Sequence, residues 1–181
     1  IILAATHGRA DVTRLYAARF PVDQDLTAAI AGEIESGTLA VNFVGHGHVD
    51  LWSPWPGGGR MFQNADIRRL SNGPRYGILT GATCMNGWFN DPLKPTSMAE
   101  VWLTNPDGGG VAAWSPSGLR PLGGQVVLLE SFYGGLFDGR GEPLGALVAE
   151  ATAKTIARSS DWADEARMFV FFGDPALVMT G

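Results

Sequence analysis

Three nearly continuous apolar runs, Leu39 to Val44, Tyr76 to Ala82 and Gly110 to Trp114, constrain the fold of this chain more than any other feature. A strand that is apolar on both faces must be covered on both, as in a parallel sheet with helices packed above and below. The segments between and around the runs read as helices. Asp25 is a good N-cap, and Leu26, Ala29, Ile30 and Ile34 then recur at helical spacing until Gly37. Ser97-Met98-Ala99-Glu100 has the spacing of a capping box and opens a short helix through Leu103. Pro121 to Phe137 and Pro143 to Arg158 read as longer helices, the second with Leu144, Leu147, Val148 and Ala151 on one face. The expected fold class is α/β, a mainly parallel sheet flanked by helices.

The remaining segments complete that reading. Ile1 to His7 reads as the end of a helix stopped by Gly8, and Val12 to Tyr16 as a short strand. Leu51 to Gly73 is a long loop rich in Trp, Pro, Gly and Asn with a helical stretch at Asn64 to Leu70. The chain closes with a strand at Met168 to Phe172, a turn at Gly173-Asp174-Pro175 and a last strand at Ala176 to Met179. At 181 residues it suits one domain, 1–181. With 45% hydrophobic and 17% charged residues and a net charge of −5, neither disorder nor a nucleic-acid-binding surface is favoured. No apolar run reaches the ~18 residues of a membrane span. The chain opens on Ile1 with no signal-peptide pattern, which suggests a piece of a longer precursor.

Two of the apolar runs end in chemically loaded loops. Gly45-His46-Gly47-His48 follows the first, and Thr83-Cys84-Met85-Asn86-Gly87 follows the second. Ligands of open α/β sheets bind at the carboxyl ends of the strands, so adjacent strands ending this way bring an imidazole and a thiol into one crevice. A free cysteine titrates near pH 8.5, and a neighbouring histidine raises its thiolate fraction by sharing the proton. Cys84 is then the nucleophile and His46 the general acid/base of acyl transfer through a thioester. The backbone N–H groups of Gly47 and Cys84 are candidates for an oxyanion hole. Against this, a lone cysteine bordering an apolar strand also reads as a small buried hydrophobe, and glycines around a histidine as a turn.

These segments resemble those of the gingipain family of bacterial cysteine peptidases, which has a caspase-like fold. Val41 to Gly47 is similar to the family's histidine strand and Ala82 to Phe89 to its nucleophile segment. Ser97 to Leu103, Gly110 to Ser117 and Phe172 to Leu177 match further segments in the same order, from about Val12 to Val178. The resemblance implies a cysteine endopeptidase with His46 and Cys84 as its dyad, a polypeptide substrate and an extracellular or cell-surface location. It also implies that acidic residues supporting the histidine and receiving a basic substrate side chain lie upstream of this chain. A companion N-terminal segment or subunit of the same precursor would then pair with an exposed sheet edge. Ser117-Gly118-Leu119-Arg120 stands where arginine-specific members carry an aromatic pocket wall, so arginine or lysine preference is not implied.

Other residues carry weaker readings. Trp114 and Ser115 end the third run, where caspase-like enzymes hold an extended substrate by backbone pairing; a core role for Trp114 competes. His46, His48 and Asp50 are a minimal metal set, disfavoured against a pocket-rim role for His48. Trp52, Trp55 and Phe62 form either an apolar substrate wall or, for two of the three, anchors of the long loop. No cofactor is required, and the family's calcium binding leaves room for a structural ion at loop carboxylates such as Asp91 or Asp107. The competing function is a non-catalytic scaffold or binding module of a larger surface protein.

Overall fold

The computed structural model describes residues 2–20, 23–53 and 59–179. Helix α1 (Ile2–Ala5) ends where His7 and Gly8 take positive φ values of 52° and 70°, the stop expected at Gly8. Helix α2 (Asp23–Glu35) leads into strand β1 (Ala40–Val44), which is followed by short strands β2 (His46–His48), β3 (Leu51–Ser53) and β4 (Phe62–Gln63). Then come α3 (Asn64–Ile67), β5 (Gly77–Ala82), α4 (Met98–Thr104) and β6 (Gly110–Pro116). Helices α5 (Leu122–Leu136), α6 (Leu144–Arg158) and α7 (Ala163–Arg167) precede the last strand, β7 (Phe169–Gly173).

The main sheet has the order β1-β5-β6-β7, with β1, β5 and β6 parallel and β7 antiparallel. Its apolar strands are continuous because successive side chains serve opposite layers. Ile78, Ala82, Ala112 and Trp114 pack with Leu128, Phe132, Leu144 and Leu147 of α5 and α6. Leu79, Ala113 and Phe43 pack with Leu26, Ile30 and Ile34 of α2 and with Met98 and Trp102 of α4. Two cores separated by one sheet make the expected α/β layering. The second sheet, β2-β3-β4, is a small antiparallel meander that continues directly from β1.

Four local expectations are corrected. Asp25 is not an N-cap: α2 already begins at Asp23. Val12 to Tyr16 forms no strand; Leu15 packs on the core, but Val12 and Tyr16 are exposed and no neighbouring strand pairs with the segment. The stretch Asn64 to Leu70 is helical only to Ile67, after which Leu70 N–H bonds back to the Ile67 carbonyl as a tighter turn. Ala176 to Met179 is not a strand either. Its neighbourhood caps α6 instead: the carbonyls of Leu177 and Pro175 accept the N–H groups of Leu144 and Gly145 at 2.8 Å each. Helix α6 begins after Pro143 with no side-chain cap, so these carbonyls satisfy donors that would otherwise lack a partner.

Candidate active site

Strands β1 and β5 run parallel and in register, with Val44 opposite Ala82, and the Gly45 N–H donates to the Ala82 carbonyl at 3.1 Å. His46 stands two residues past Val44 and Cys84 two residues past Ala82. Equal offsets from adjacent, level strand ends place the two segments side by side at the carboxyl edge of the sheet. His46 is exposed and Cys84 half-buried, and no hydrogen bond joins them. Catalytic hydrogen bonds often form only when substrate is bound.

The histidine segment is not a free loop, as its glycines suggest. It is strand β2, paired with β3 through His46 with Ser53, Gly47 with Trp52 and His48 with Leu51. Gly47 lies against the cysteine segment: a Cβ there would sit 2.1 Å from Thr83 Oγ1 and 2.9 Å from the Cys84 carbonyl oxygen. Only glycine admits this approach. The backbones of both candidate oxyanion-hole residues, Gly47 and Cys84, therefore meet at this contact.

Buried amides hold the two segments together. Asn86, 1% exposed, donates from Nδ2 to the carbonyls of His48 and Leu51 and accepts the indole N–H of Trp52 at 2.8 Å. Gln125, fully buried on α5, accepts the Thr83 N–H at 3.0 Å and donates to the carbonyls of Arg120 (3.1 Å) and Pro121 (3.3 Å). Met85, beside Cys84, takes φ 57°, a conformation that costs a non-glycine residue about 1–2 kcal/mol. Its N–H reaches the Gly118 carbonyl at 3.3 Å and that of Gly87 the Pro116 carbonyl at 2.9 Å, so the segment is held on the end of β6. Sequence reading missed both amides. Nothing in the spacing around Asn86 marks its partners, whereas Gln125 in the apolar start of α5 was an available signal.

The remaining candidates are placed as follows. Trp114 and Ser115 are 1% and 2% exposed, and Trp114 packs on Phe132 and Phe169 with ring centroids 5.2 and 5.3 Å apart. At Trp114 the strand is paired on both sides, to Thr80 and to Phe171. Both side chains are buried in the core, and the first partly exposed positions beyond β6 are Ser117 and Gly118. Trp52 and Phe62 are loop anchors, Trp52 stacking on Phe43 at 4.6 Å and lying 5.5 Å from Phe62. Trp55 lies outside the described residues.

His48 Nδ1 lies 3.4 Å from Asp50 Oδ1, and Lys94 Nζ holds the other carboxylate oxygen at 2.7 Å. Burial opposes the charge on Asp50, but the hydrogen bond and charge of Lys94, with hydrogen bonds from His48 and the backbone, together keep the carboxyl below its ordinary range. A depressed carboxyl stabilises the fold above its unfolded-state value near pH 3.9, and that contribution vanishes as pH falls through the lower folded-state value. Lys94→Met is therefore expected to cost up to about 1 kcal/mol at pH 7, and the difference from the parent should shrink as pH falls below ~4. Urea unfolding of both proteins across that range measures it. Asp91 Oδ1 caps the N–H groups of Leu93 and Lys94, and among the described residues no three His, Cys, Asp or Glu side chains are placed to hold a metal.

Comparison with known proteins agrees with this architecture. The complex of Porphyromonas gingivalis RgpB pro- and mature domains superposes with a TM-score of 0.74 at 17% identity, covering 84% of this chain and 37% of that one. The Arg-specific cysteine proteinase gingipain R (RgpB) gives 0.68 at 19% identity, covering 84% and 36%. A third structure, of a protease, gives 0.68 at 14% identity, covering 82% and 37%. The chain thus has the caspase-like fold of the gingipains and spans little more than a third of the chains it matches. No curated protein sequence matches it significantly. The model of peptidase family C25 matches residues 2–180, and the chain belongs to that family of gingipain-type cysteine peptidases.

Proposed function

We propose that this chain carries the reacting groups of a cysteine endopeptidase, with Cys84 as nucleophile and His46 as general acid/base. The observation that supports this most strongly is the level exit of His46 and Cys84 from paired parallel strands, with Gly47 seated on the cysteine segment. Cys84 Sγ, its proton passed to His46, attacks the peptide carbonyl carbon. His46 then protonates the leaving amine as the C–N bond breaks, leaving a thioester on Cys84. Water attacks the thioester, giving its proton to His46, and the acid product departs as the thiol is restored. The N–H groups of Gly47 and Cys84 stabilise the oxyanion formed at each addition.

The substrate is an extended polypeptide that meets the enzyme beyond β6, near Ser117 and Gly118. An extracellular or surface site of action, and a companion segment of the same precursor along the outer edge of β1, complete the reading. That edge has no partner strand among the described residues, and Val44 at its end is 54% exposed. The test is incubation of the complete gene product with a peptide library, cleavage sites being identified by mass spectrometry beside a Cys84→Ala control. Cleavage that disappears with the thiol is expected. A folded, complete protein that leaves the library intact would instead favour the scaffold function.

A further inference from the structure

We propose that Asn86, through its bond to Trp52, is a positioning residue that sets the cysteine segment against the histidine hairpin; the inference rests on the dyad proposed above. His46 and Cys84 make no direct bond, so something else must fix their relative placement. Asn86 lies two residues beyond Cys84 and reaches both arms of the hairpin that bears His46: the carbonyl of His48 on β2 and that of Leu51 on β3. Its Oδ1 accepts the Trp52 indole N–H, and these three partners leave only one orientation for the amide. The main chain repeats the link, because the first two N–H groups of α4 divide between the two segments. Met98 donates to the Val49 carbonyl in the hairpin turn at 2.7 Å, and Ala99 donates to the Asn86 carbonyl at 3.0 Å.

The amide is almost fully buried, so an unmet partner would be costly, and its bonds tie the hairpin to the cysteine segment. Trp52 is itself fixed by its stack on Phe43, which lies in β1. A continuous path therefore runs from the sheet through Trp52 and Asn86 to the residue pair beside the nucleophile. Misplacement by about 1 Å at a reacting pair can cost on the order of 100-fold in rate.

The test is the pH dependence of Cys84 alkylation by iodoacetamide in the full chain, read as the rate at about pH 6 relative to that at about pH 9.5. At the higher pH the thiolate forms without help, whereas at the lower one it depends on the imidazole. His46→Ala defines the ratio without that help. Trp52→Phe, which removes the indole donor but keeps an aromatic ring between Phe43 and Phe62, and Asn86→Ala are expected to lower the ratio about tenfold towards it. Circular dichroism and cooperative thermal unfolding confirm the fold, and if Asn86→Ala does not fold, Trp52→Phe carries the test. A merely structural role would lower the melting temperature and leave the ratio unmoved. A ratio lost in His46→Ala but kept in both other variants overturns the positioning role alone; a ratio that His46→Ala does not change overturns the dyad and the positioning role with it.

Discussion

His46→Ala is expected to lower kcat/KM for peptide cleavage by on the order of 10⁴-fold, about 5.5 kcal/mol of transition-state stabilisation, and Cys84→Ala to abolish covalent turnover. The size follows from the proposed roles. Without an imidazole the thiol reacts only through its small spontaneous thiolate fraction, and the leaving amine must depart without a proton donor. Groups that act as a unit lose their value together, so the double variant is expected to be no worse than Cys84→Ala alone. Steady-state kinetics on the complete gene product, with active-site titration by a thiol-directed acyl analogue, measures both effects. Equal turnover in His46→Ala and the parent would remove histidine from the mechanism. The level exit of the two strands would then be architecture alone.

Trp114→Ala is expected to destabilise the fold by about 3–5 kcal/mol, a large share of the roughly 5–15 kcal/mol that holds an ordinary domain together. The side chain is buried and packs on Phe132 of helix α5 and Phe169 of β7, so its truncation leaves a cavity that the surrounding packing closes only in part. A substrate-binding tryptophan would behave differently, since its loss would raise KM and leave unfolding nearly unchanged. Denaturant unfolding of Trp114→Ala and Trp114→Phe distinguishes the two, the phenylalanine variant recovering much of the lost stability through its ring. A midpoint unchanged in both variants would return Trp114 to the substrate.

The strand-helix order and the two chemically loaded strand ends were legible because burial writes itself into local periodicity. Ile78 and Leu79 both had to be apolar once the sheet was covered on two sides, and Ser97 with Glu100 announced the start of α4 through a cap that needs only four residues. Val12 to Tyr16 and Ala176 to Met179 were misread for a common reason. A short apolar stretch describes a segment willing to be a strand, but a strand exists only where a neighbour offers its edge; here Leu15 of one segment packs on the core while the Leu177 carbonyl of the other caps α6.

Taken alone, the amino-acid sequence determined the class of fold, the order of the main-sheet strands β1, β5, β6 and β7, the family resemblance and the candidate status of His46 and Cys84, because each is expressed within a few neighbouring residues. Tertiary structure alone decided that the histidine loop is a hairpin strand, that Trp114 and Ser115 are turned inward, and that Asn86 and Gln125 hold the cysteine segment. The hairpin pairs near neighbours such as His48 and Leu51, but the placement of Trp114 and of the two amides depends on distant partners, such as Trp52 for Asn86, Gln125 for Thr83 and Phe171 for Trp114. A buried amide or a packed ring is assigned its role by what the fold brings against it, and one-dimensional spacing carries no record of that meeting.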